Sequence, residues 1–152
     1  MRLVRSANGK LVFLLGQRDK LMLLEVLKLY PRIPSASRPL TKFGKLPGQE
    51  ANQRLLDEAL AEQRAENKKH LETFLTDPRR FADTQTGCRL TLSASDTEWL
   101  LQVLNDIRVG SWVLLGSPEG KFDKLTLATA PHYWAMEMSG IFQSRFLEAL
   151  EG

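Results

Sequence analysis

The sequence predicts an α+β fold that is mainly α-helical, with about four helices packed on a small antiparallel sheet. One observation behind this prediction is the pair Asn8-Gly9, which supplies the positive φ of a tight turn between two short apolar runs. Another is the alternation of residues 88–92, "CRLTL", which is typical of a strand. Most of the remaining apolar residues recur at helical spacing. The hairpin and residues 88–92 form the predicted sheet, and "KLTLA" at 124–128 is a candidate for one more strand.

The length and the cysteine content limit the class of protein. A chain of 152 residues can bury a core without a second domain, so we expect a single domain over residues 1–152. The lone cysteine excludes an internal disulfide, no Cys/His set has the spacing of a zinc site, and we expect no cofactor. The first apolar run is too short for a signal peptide, and no later segment approaches a membrane span. We therefore expect a cytoplasmic protein that does not enter a membrane.

The hairpin is followed by a predicted helix over residues 17–30. Apolar side chains surround this helix on nearly every side, which indicates a central helix covered by several neighbours. Pro31 ends it. Residues 31–47 contain four prolines and no apolar period, so they are expected to form a surface linker.

A long helix is predicted over about residues 47–76. Its inward face is apolar at both ends, but its middle carries Gln63, Asn67 and His70. One interpretation is a polar pocket in which His70 titrates near neutral pH. The other, which we favour, is that a helix of this length extends beyond a small core and is solvated midway.

The next predicted helix begins in "SASDTEWLL", with Ser95 as N-cap and Glu98 three residues later, as in a capping box. The helix contains Asn105, Asp106 and Arg108 within a run of otherwise apolar or small residues. On a helical projection these three lie mostly opposite the apolar face. They are therefore either an anchor to a neighbouring element or a recognition surface.

The sequence also repeats itself weakly. A shift of 77 positions places "LVFLLGQRDKLMLLEVL" on "CRLTLSASDTEWLLQVL" and matches Leu15 with Leu92 and Asp19 with Asp96. Both segments read as a strand followed directly by a helix. We infer that the fold uses this unit twice, as a structural likeness rather than a duplication.

The last predicted helix follows Thr129 and Pro131, a capping residue and a favoured first-turn residue. The side expected to face the core carries Trp134, Met138, Ile141, Phe142 and Phe146. A second apolar side is a candidate interface formed by Tyr133, Met136, Gly140 and Leu147. This second side is covered either within the fold, for instance by the linker, or by another chain. A homodimer is accordingly one hypothesis for this protein.

Charge is distributed unevenly, although the formal net charge is only +3. Residues 1–50 carry ten Lys and Arg against three acidic residues, whereas residues 81–152 carry five against nine. A candidate basic patch consists of Arg32, Arg38, Lys42 and Lys45. It is either a nucleic-acid surface or a solvated loop. We expect weak or no binding to nucleic acid, because the sequence contains no motif in which basic and aromatic residues alternate and the exposed face of residues 95–115 is acidic.

The sequence gives little support for an enzyme. The sequence contains no motif of a phosphate-binding loop, a serine hydrolase or a paired metal site. Its two histidines are His70 and His132, and we expect the second to be solvated in the first turn of the last helix. Cys88 begins a strand that is predicted to be buried, where a thiol packs rather than reacts. We therefore expect no catalytic residues, and an enzyme of unrecognised type is only the third hypothesis.

Three motifs connect the chain to a known family. They are Gly-x-Arg-Leu-x-Leu at 87–92, Ser-Asp at 95–96 and Asn-Asp-x-Arg at 105–108. Together with "HYWAMEMSGIFQSRFLEAL" at 132–150, they resemble a bacterial family of unknown function that is best known from actinobacteria and is often encoded beside the ClpS protease adaptor. The opening hairpin and first helix also resemble it, whereas the linker and the helix at 47–76 depart from its pattern.

The resemblance implies a fold of this kind and, through gene neighbourhood, a link to regulated proteolysis. The family has no established activity, so the resemblance assigns no role to any residue. The leading expectation is therefore a non-enzymatic interaction or regulatory protein with an unidentified protein partner, linked to ClpS-dependent proteolysis. A nucleic-acid-binding regulator that uses the basic N-terminal half is the alternative.

Overall fold

The computed structural model describes residues 1–5, 8–32 and 49–151. The elements are β1 (Arg2–Arg5), β2 (Leu11–Gly16), α1 (Gln17–Leu27), α2 (Gln49–Thr76), β3 (Phe81–Thr84), β4 (Gly87–Leu92), α3 (Ala94–Leu114) and α4 (Ala130–Glu151). These helices and the four-stranded antiparallel sheet confirm the predicted α+β, mainly α fold. Of the predicted linker at 31–47, only the first two residues lie within the described part of the chain.

The sheet has the strand order β1-β2-β4-β3, and every neighbouring pair is antiparallel. The predicted N-terminal hairpin is confirmed, and Gly9 has a φ of 76°. The connection covers the five positions between Arg5 and Leu11, however, and is therefore longer than the predicted tight turn. Strand β3, "FADT", has no apolar alternation and was not predicted. It forms because the hairpin turn at residues 85–86 brings it onto the free edge of β4, where Phe81 pairs with Leu90. Backbone pairing, rather than side-chain pattern, therefore defines this strand.

The prediction of a further strand at 124–128 is wrong. These residues adopt no strand, and Leu125 and Leu127 are 60% and 97% exposed. The segment instead turns toward the last helix, where Thr126 N–H donates to Thr129 Oγ1 at 2.8 Å. An alternating run becomes a strand only when it pairs with a sheet edge, and residues 124–128 pair with no strand of this sheet.

One face of the sheet carries the core. Phe13 and Leu15 of β2 and Leu90 and Leu92 of β4 are buried there, and helices α1, α3 and α4 pack over them. The rings of Phe13 and Phe146 meet edge to face, with centroids 5.0 Å apart. Both β2 and β4 continue directly into helices, α1 and α3, so the strand-then-helix unit occurs twice as predicted.

Two helix boundaries differ from the prediction. Helix α1 ends at Leu27, and residues up to Tyr30 continue only as single turns. Helix α3 is capped by Ser93 and not by Ser95: Ser93 Oγ accepts from the N–H of Asp96, and an Asp96 carboxylate oxygen accepts from the N–H of Ser93. The capping box forms two residues earlier because β4 ends at Leu92 and leaves Ser93 extended.

Helix α4 is rotated relative to the prediction. Phe142 and Phe146 are fully buried, but Trp134 and Ile141, which were expected in the core, are 36% and 41% exposed. The remaining buried positions of α4 are small: Ala135, Ser139 and Ala149. Small side chains allow α4 to pack closely against the core, and this orientation turns Trp134 and Ile141 toward solvent.

Candidate functional site

The structure separates the three polar residues of α3. Arg108 Nε donates to Gln143 Oε1 at 3.1 Å, and Arg108 Nη2 donates to Asn105 Oδ1 at 2.9 Å. The Gln143 amide also donates to Asn105 Oδ1, at 3.4 Å. Asn105 and Arg108 therefore form a polar bridge between α3 and α4. Of the two interpretations, this geometry favours an anchor for both residues.

Asp106 belongs to a different cluster, beside Tyr30 and Arg64. Loss of hydration raises the pKa of Asp106, and the positive charge of Arg64 opposes this rise. Burial of the phenol is the main cause that raises the pKa of Tyr30, and the negative charge of Asp106 adds to it. The Asp106 side chain is exposed and makes no hydrogen bond or ion pair with any described residue, so charge alone connects it to Tyr30 and Arg64.

The polar middle of α2 reaches the same cluster through Asn67. The Asn67 amide donates to the Tyr30 phenol oxygen at 3.2 Å, and Asn67 Oδ1 accepts from Trp99 Nε1 at 3.3 Å. The His70 ring lies edge to face on Trp99, with centroids 4.3 Å apart. Gln63 is exposed and takes no part. The structure therefore brings Asn67 and His70 together around Trp99 and leaves Gln63 apart.

We name the set Tyr30, Arg64, Asn67, Trp99 and Asp106 the Tyr30 cluster. Sequence reasoning found Asn67 and Asp106 separately and missed Tyr30, Trp99 and Arg64. Tyrosine and tryptophan each carry one polar atom on an apolar ring, and such atoms seek a partner when buried. The need of the Tyr30 hydroxyl and the Trp99 Nε1 for a hydrogen-bond partner was the signal in the sequence, because one amide on a neighbouring helix can bind both atoms.

Of the candidate basic patch, only Arg32 lies within the described residues; Arg38, Lys42 and Lys45 do not. Arg32 Nη2 contacts His132 Nδ1 at the start of α4. Burial lowers the pKa of Arg32. Burial also lowers the pKa of His132, and the charge of Arg32 adds to that effect. The backbone of Arg32 lies directly on Gly110 of α3, where a Cβ atom would collide with its carbonyl group. Arg32 is therefore an internal contact rather than a free surface cation.

The candidate interface on α4 is partly covered by the chain itself. The ring of Tyr133 stacks on Phe122, with centroids 5.9 Å apart, and Gly140 lies beside the side chain of Arg108. Met136 is half-buried, whereas Leu147 is 43% exposed. Of these four residues, Leu147 is the most exposed.

The exposed side of α4 forms a surface that sequence reasoning did not identify, although the groove along it includes Met136 and Gly140 of the predicted interface. We name it the outward face of α4; its residues are Trp134, Glu137, Ile141, Arg145 and Glu148. An open groove of about 600 Å³ runs along it, with Met136, Gly140 and Ile141 among its lining residues. The prediction of a buried Ile141 concealed this surface. The sequence did contain a signal for the exposure of Ile141. Charged residues lie four positions before it, at Glu137, and four positions after it, at Arg145, and residues at this spacing share one side of a helix.

A smaller polar cavity of about 180 Å³ lies at the N-terminus of α3, between Lys10, Arg79 and the capping box. Arg80 crosses it, with Nη1 2.9 Å from an Asp77 carboxylate oxygen and Nε 3.2 Å from an Asp96 carboxylate oxygen. These ion pairs hold the loop between α2 and β3 against the capping box of α3.

Burial raises the pKa of the Cys88 thiol, which packs in the core as expected from the sequence. Within residues 1–5, 8–32 and 49–151, no group of three or more His, Cys, Asp or Glu side chains is arranged to hold a metal ion. None of the helices in the same ranges combines the length and the apolar character needed to cross a membrane. Comparison with protein-family models, curated proteins and solved structures gives no match for this chain.

Proposed function

We propose that this chain is a non-enzymatic interaction protein that binds a protein partner through the outward face of α4. The observation that carries the proposal is the exposure of Trp134 and Ile141 on a helix that Phe142 and Phe146 fix in the core. Neighbouring apolar side chains that the described residues leave partly exposed are a common mark of an interaction site. Here it is accompanied by a groove and by charged side chains at its margins.

The composition of this face supports a protein as the partner. Tryptophan and arginine are enriched among the residues that contribute most to protein–protein binding, and Trp134 and Arg145 both lie on the face. A polar rim around an apolar centre is also typical of such interfaces. Because the helix is already packed on its inner side, little backbone ordering is needed when a partner binds.

The link to ClpS-dependent proteolysis stays a prediction that rests on the resemblance. The segment at 132–150 that resembles the actinobacterial family includes the whole outward face of α4. If a component of the protease adaptor system is the partner, we propose that it binds at this face.

A photo-crosslinking amino acid placed at Ile141 tests the proposal in the native cell. We expect discrete crosslinked protein species, which mass spectrometry identifies. The same amino acid at Leu21, which is 51% exposed on α1, is the matched control. The proposal fails if position 141 gives no crosslinked protein, or only the products that position 21 also gives.

The nucleic-acid alternative has one supporting observation, on the outer face of the sheet. Arg2, Leu14 and Arg89 form a row across three strands, and among the described residues neither arginine has a carboxylate partner. Two unpaired arginines on a flat surface can contact phosphates. If they do, oligonucleotide binding falls steeply with salt and is weakened by Arg2→Ala with Arg89→Ala, but not by Arg18→Ala on α1. No binding at low salt would exclude this alternative.

A further inference from the structure

We infer that the outward face of α4 pairs with the same face of a second copy of this chain, with the two helices antiparallel about a two-fold axis at Ile141. This inference rests on the proposed function, because it names the partner of that surface. It is carried by the order of exposed residues along the helix, in which Glu137, Ile141 and Arg145 follow one another at intervals of four.

The spacing makes this surface complementary to itself. Residues four apart lie on one side of a helix, about one turn from each other. In an antiparallel pair centred on Ile141, a residue four positions before the centre lies level with the residue four positions after the centre in the partner. Glu137 of each copy therefore lies opposite Arg145 of the other, which gives two ion pairs around a central pair of isoleucines. A two-fold interface requires this kind of self-complementarity.

Both charged residues are exposed, but they differ in their contacts within the chain. Glu137 forms no ion pair with any residue of the described ranges. Arg145 is 41% exposed, and its nearest carboxylate oxygen, on Asp19, is 3.6 Å away, at the long end of the range for an ion pair. The guanidinium also lies 5.7 Å from the centroid of the Phe142 ring, so a partner carboxylate binds the part of Arg145 that stays exposed beside these two contacts.

A parallel arrangement is disfavoured by the same charges. It would place Glu137 opposite Glu137 and Arg145 opposite Arg145, and like charges at close range oppose association. The antiparallel arrangement also places Trp134 level with Glu148 of the partner, since both lie seven residues from Ile141. The tryptophan ring then covers one end of the isoleucine contact, and no two equal charges lie opposite each other.

The groove supplies room for the second helix. Gly140 precedes Ile141 and has no side chain, and it forms part of the groove floor beside the Arg108 side chain. The missing side chain lowers the helix surface next to the two-fold axis, which permits close approach. One helix pair buries less than the ~1,200 Å² of a standard interface, so we expect a weak dimer with a dissociation constant in the micromolar range.

Charge reversal tests the inference directly. By sedimentation velocity at about 200 μM protein, we expect a dimer for the wild-type chain, well above the expected micromolar dissociation constant. Glu137→Arg and Arg145→Glu each replace two attractive pairs by repulsive ones and should weaken the dimer about tenfold or more. The double variant Glu137→Arg/Arg145→Glu restores opposite charges and should recover the dimer. Glu98→Arg, at an exposed position on α3, is the matched control and should leave association unchanged.

A disulfide trap gives a second measurement that does not depend on charge. In a Cys88→Ala background, Ile141→Cys should form an intermolecular disulfide rapidly, because closely packed antiparallel helices bring the two Cα atoms on the axis within the ~4.4–6.8 Å that a disulfide spans. Glu98→Cys should not. Far-ultraviolet circular dichroism establishes that each variant is folded before its mass is interpreted.

The inference is overturned by a monomeric wild-type chain at 200 μM, or by single reversals that associate like the wild type. A double reversal that remains as dissociated as the single ones overturns it as well. If the purified chain is monomeric but the crosslinker at Ile141 captures a different protein, the second copy is excluded and the proposed function stands. If position 141 captures nothing, both fail.

Discussion

The side chain of Asn67 on α2 donates a hydrogen bond to the phenol oxygen of Tyr30, at 3.2 Å, in the segment that follows α1. The carbonyl oxygen of the same amide accepts from Trp99. Tyr30 is 2% exposed, so its hydroxyl group has little access to water. One amide thus satisfies polar atoms on two other segments and joins α2 to the rest of the fold.

Replacement of Asn67 by leucine should reduce the free energy of unfolding by about 1–3 kcal/mol, because it leaves the polar atoms of Tyr30 and Trp99 without this partner. Urea denaturation measures the change. Gln63→Leu makes the same substitution at an exposed position one turn away and should stay within about 0.5 kcal/mol of wild type. Equal stability of the two variants would show that the amide does not hold α2 in place.

The two glycines within helices α3 and α4 should respond in opposite directions to alanine. At Gly110 a Cβ atom would collide with the backbone of Arg32, so Gly110→Ala should cost about 1–3 kcal/mol. At Gly140 the nearest atom to a Cβ would be the Arg108 Cδ, at an ordinary 3.6 Å. Gly140→Ala should therefore stabilise the helix by about 0.5–1 kcal/mol. Thermal unfolding at low protein concentration, where association does not contribute, measures both.

Stability should fall in mild acid through His132. Its pKa in the folded chain is lowered below 6.5 by burial and then by the charge of Arg32. Below pH 6.5 the unfolded chain therefore binds a proton that the folded chain resists, and the free energy of unfolding decreases as the pH falls. Glutamine at this position keeps an acceptor oxygen but does not titrate. Between about pH 7.5 and pH 5.5, His132→Gln should lose less stability than the wild type. Equal losses would contradict the assignment.

The structure and the sequence pattern assign the N-cap of α3 to different serines, and mutation can distinguish them. Ser93→Ala removes the acceptor for the N–H of Asp96 and should destabilise the chain by about 1 kcal/mol. Ser95→Ala, at the position that the sequence pattern indicates as the cap, should change the free energy of unfolding by less than about 0.5 kcal/mol. Chemical denaturation of the two variants measures the difference. If Ser95→Ala lowered the free energy of unfolding more than Ser93→Ala, Ser95 would be the N-cap, as the sequence pattern indicates.

Local patterns determined most of the secondary structure. The Asn8-Gly9 turn, the alternation at residues 88–92 and the long helical periods depend on interactions between neighbours in the chain, so they can be recognised without the fold. Strand β3 and the failed strand at 124–128 show the limit of such patterns. The two segments differ in whether a free sheet edge lies beside them, and only the folded chain decides that.

The candidate sites depended on tertiary structure to a greater degree. Sequence periodicity identified Asn67 and Asp106 on two separate helices, but only packing gave Asn67 its hydrogen bond to Tyr30 and brought the charge of Asp106 close enough to act on the same residue. Both apolar sides of α4 were visible in the sequence, whereas the choice of the buried side depended on how closely small residues such as Ala135 and Ser139 allow the helix to approach the core. That rotation exposed Ile141 and so created the surface proposed here as an interface. Periodicity is a property of one helix, but burial is a property of the contact between helices, and it is therefore decided only by the assembled fold.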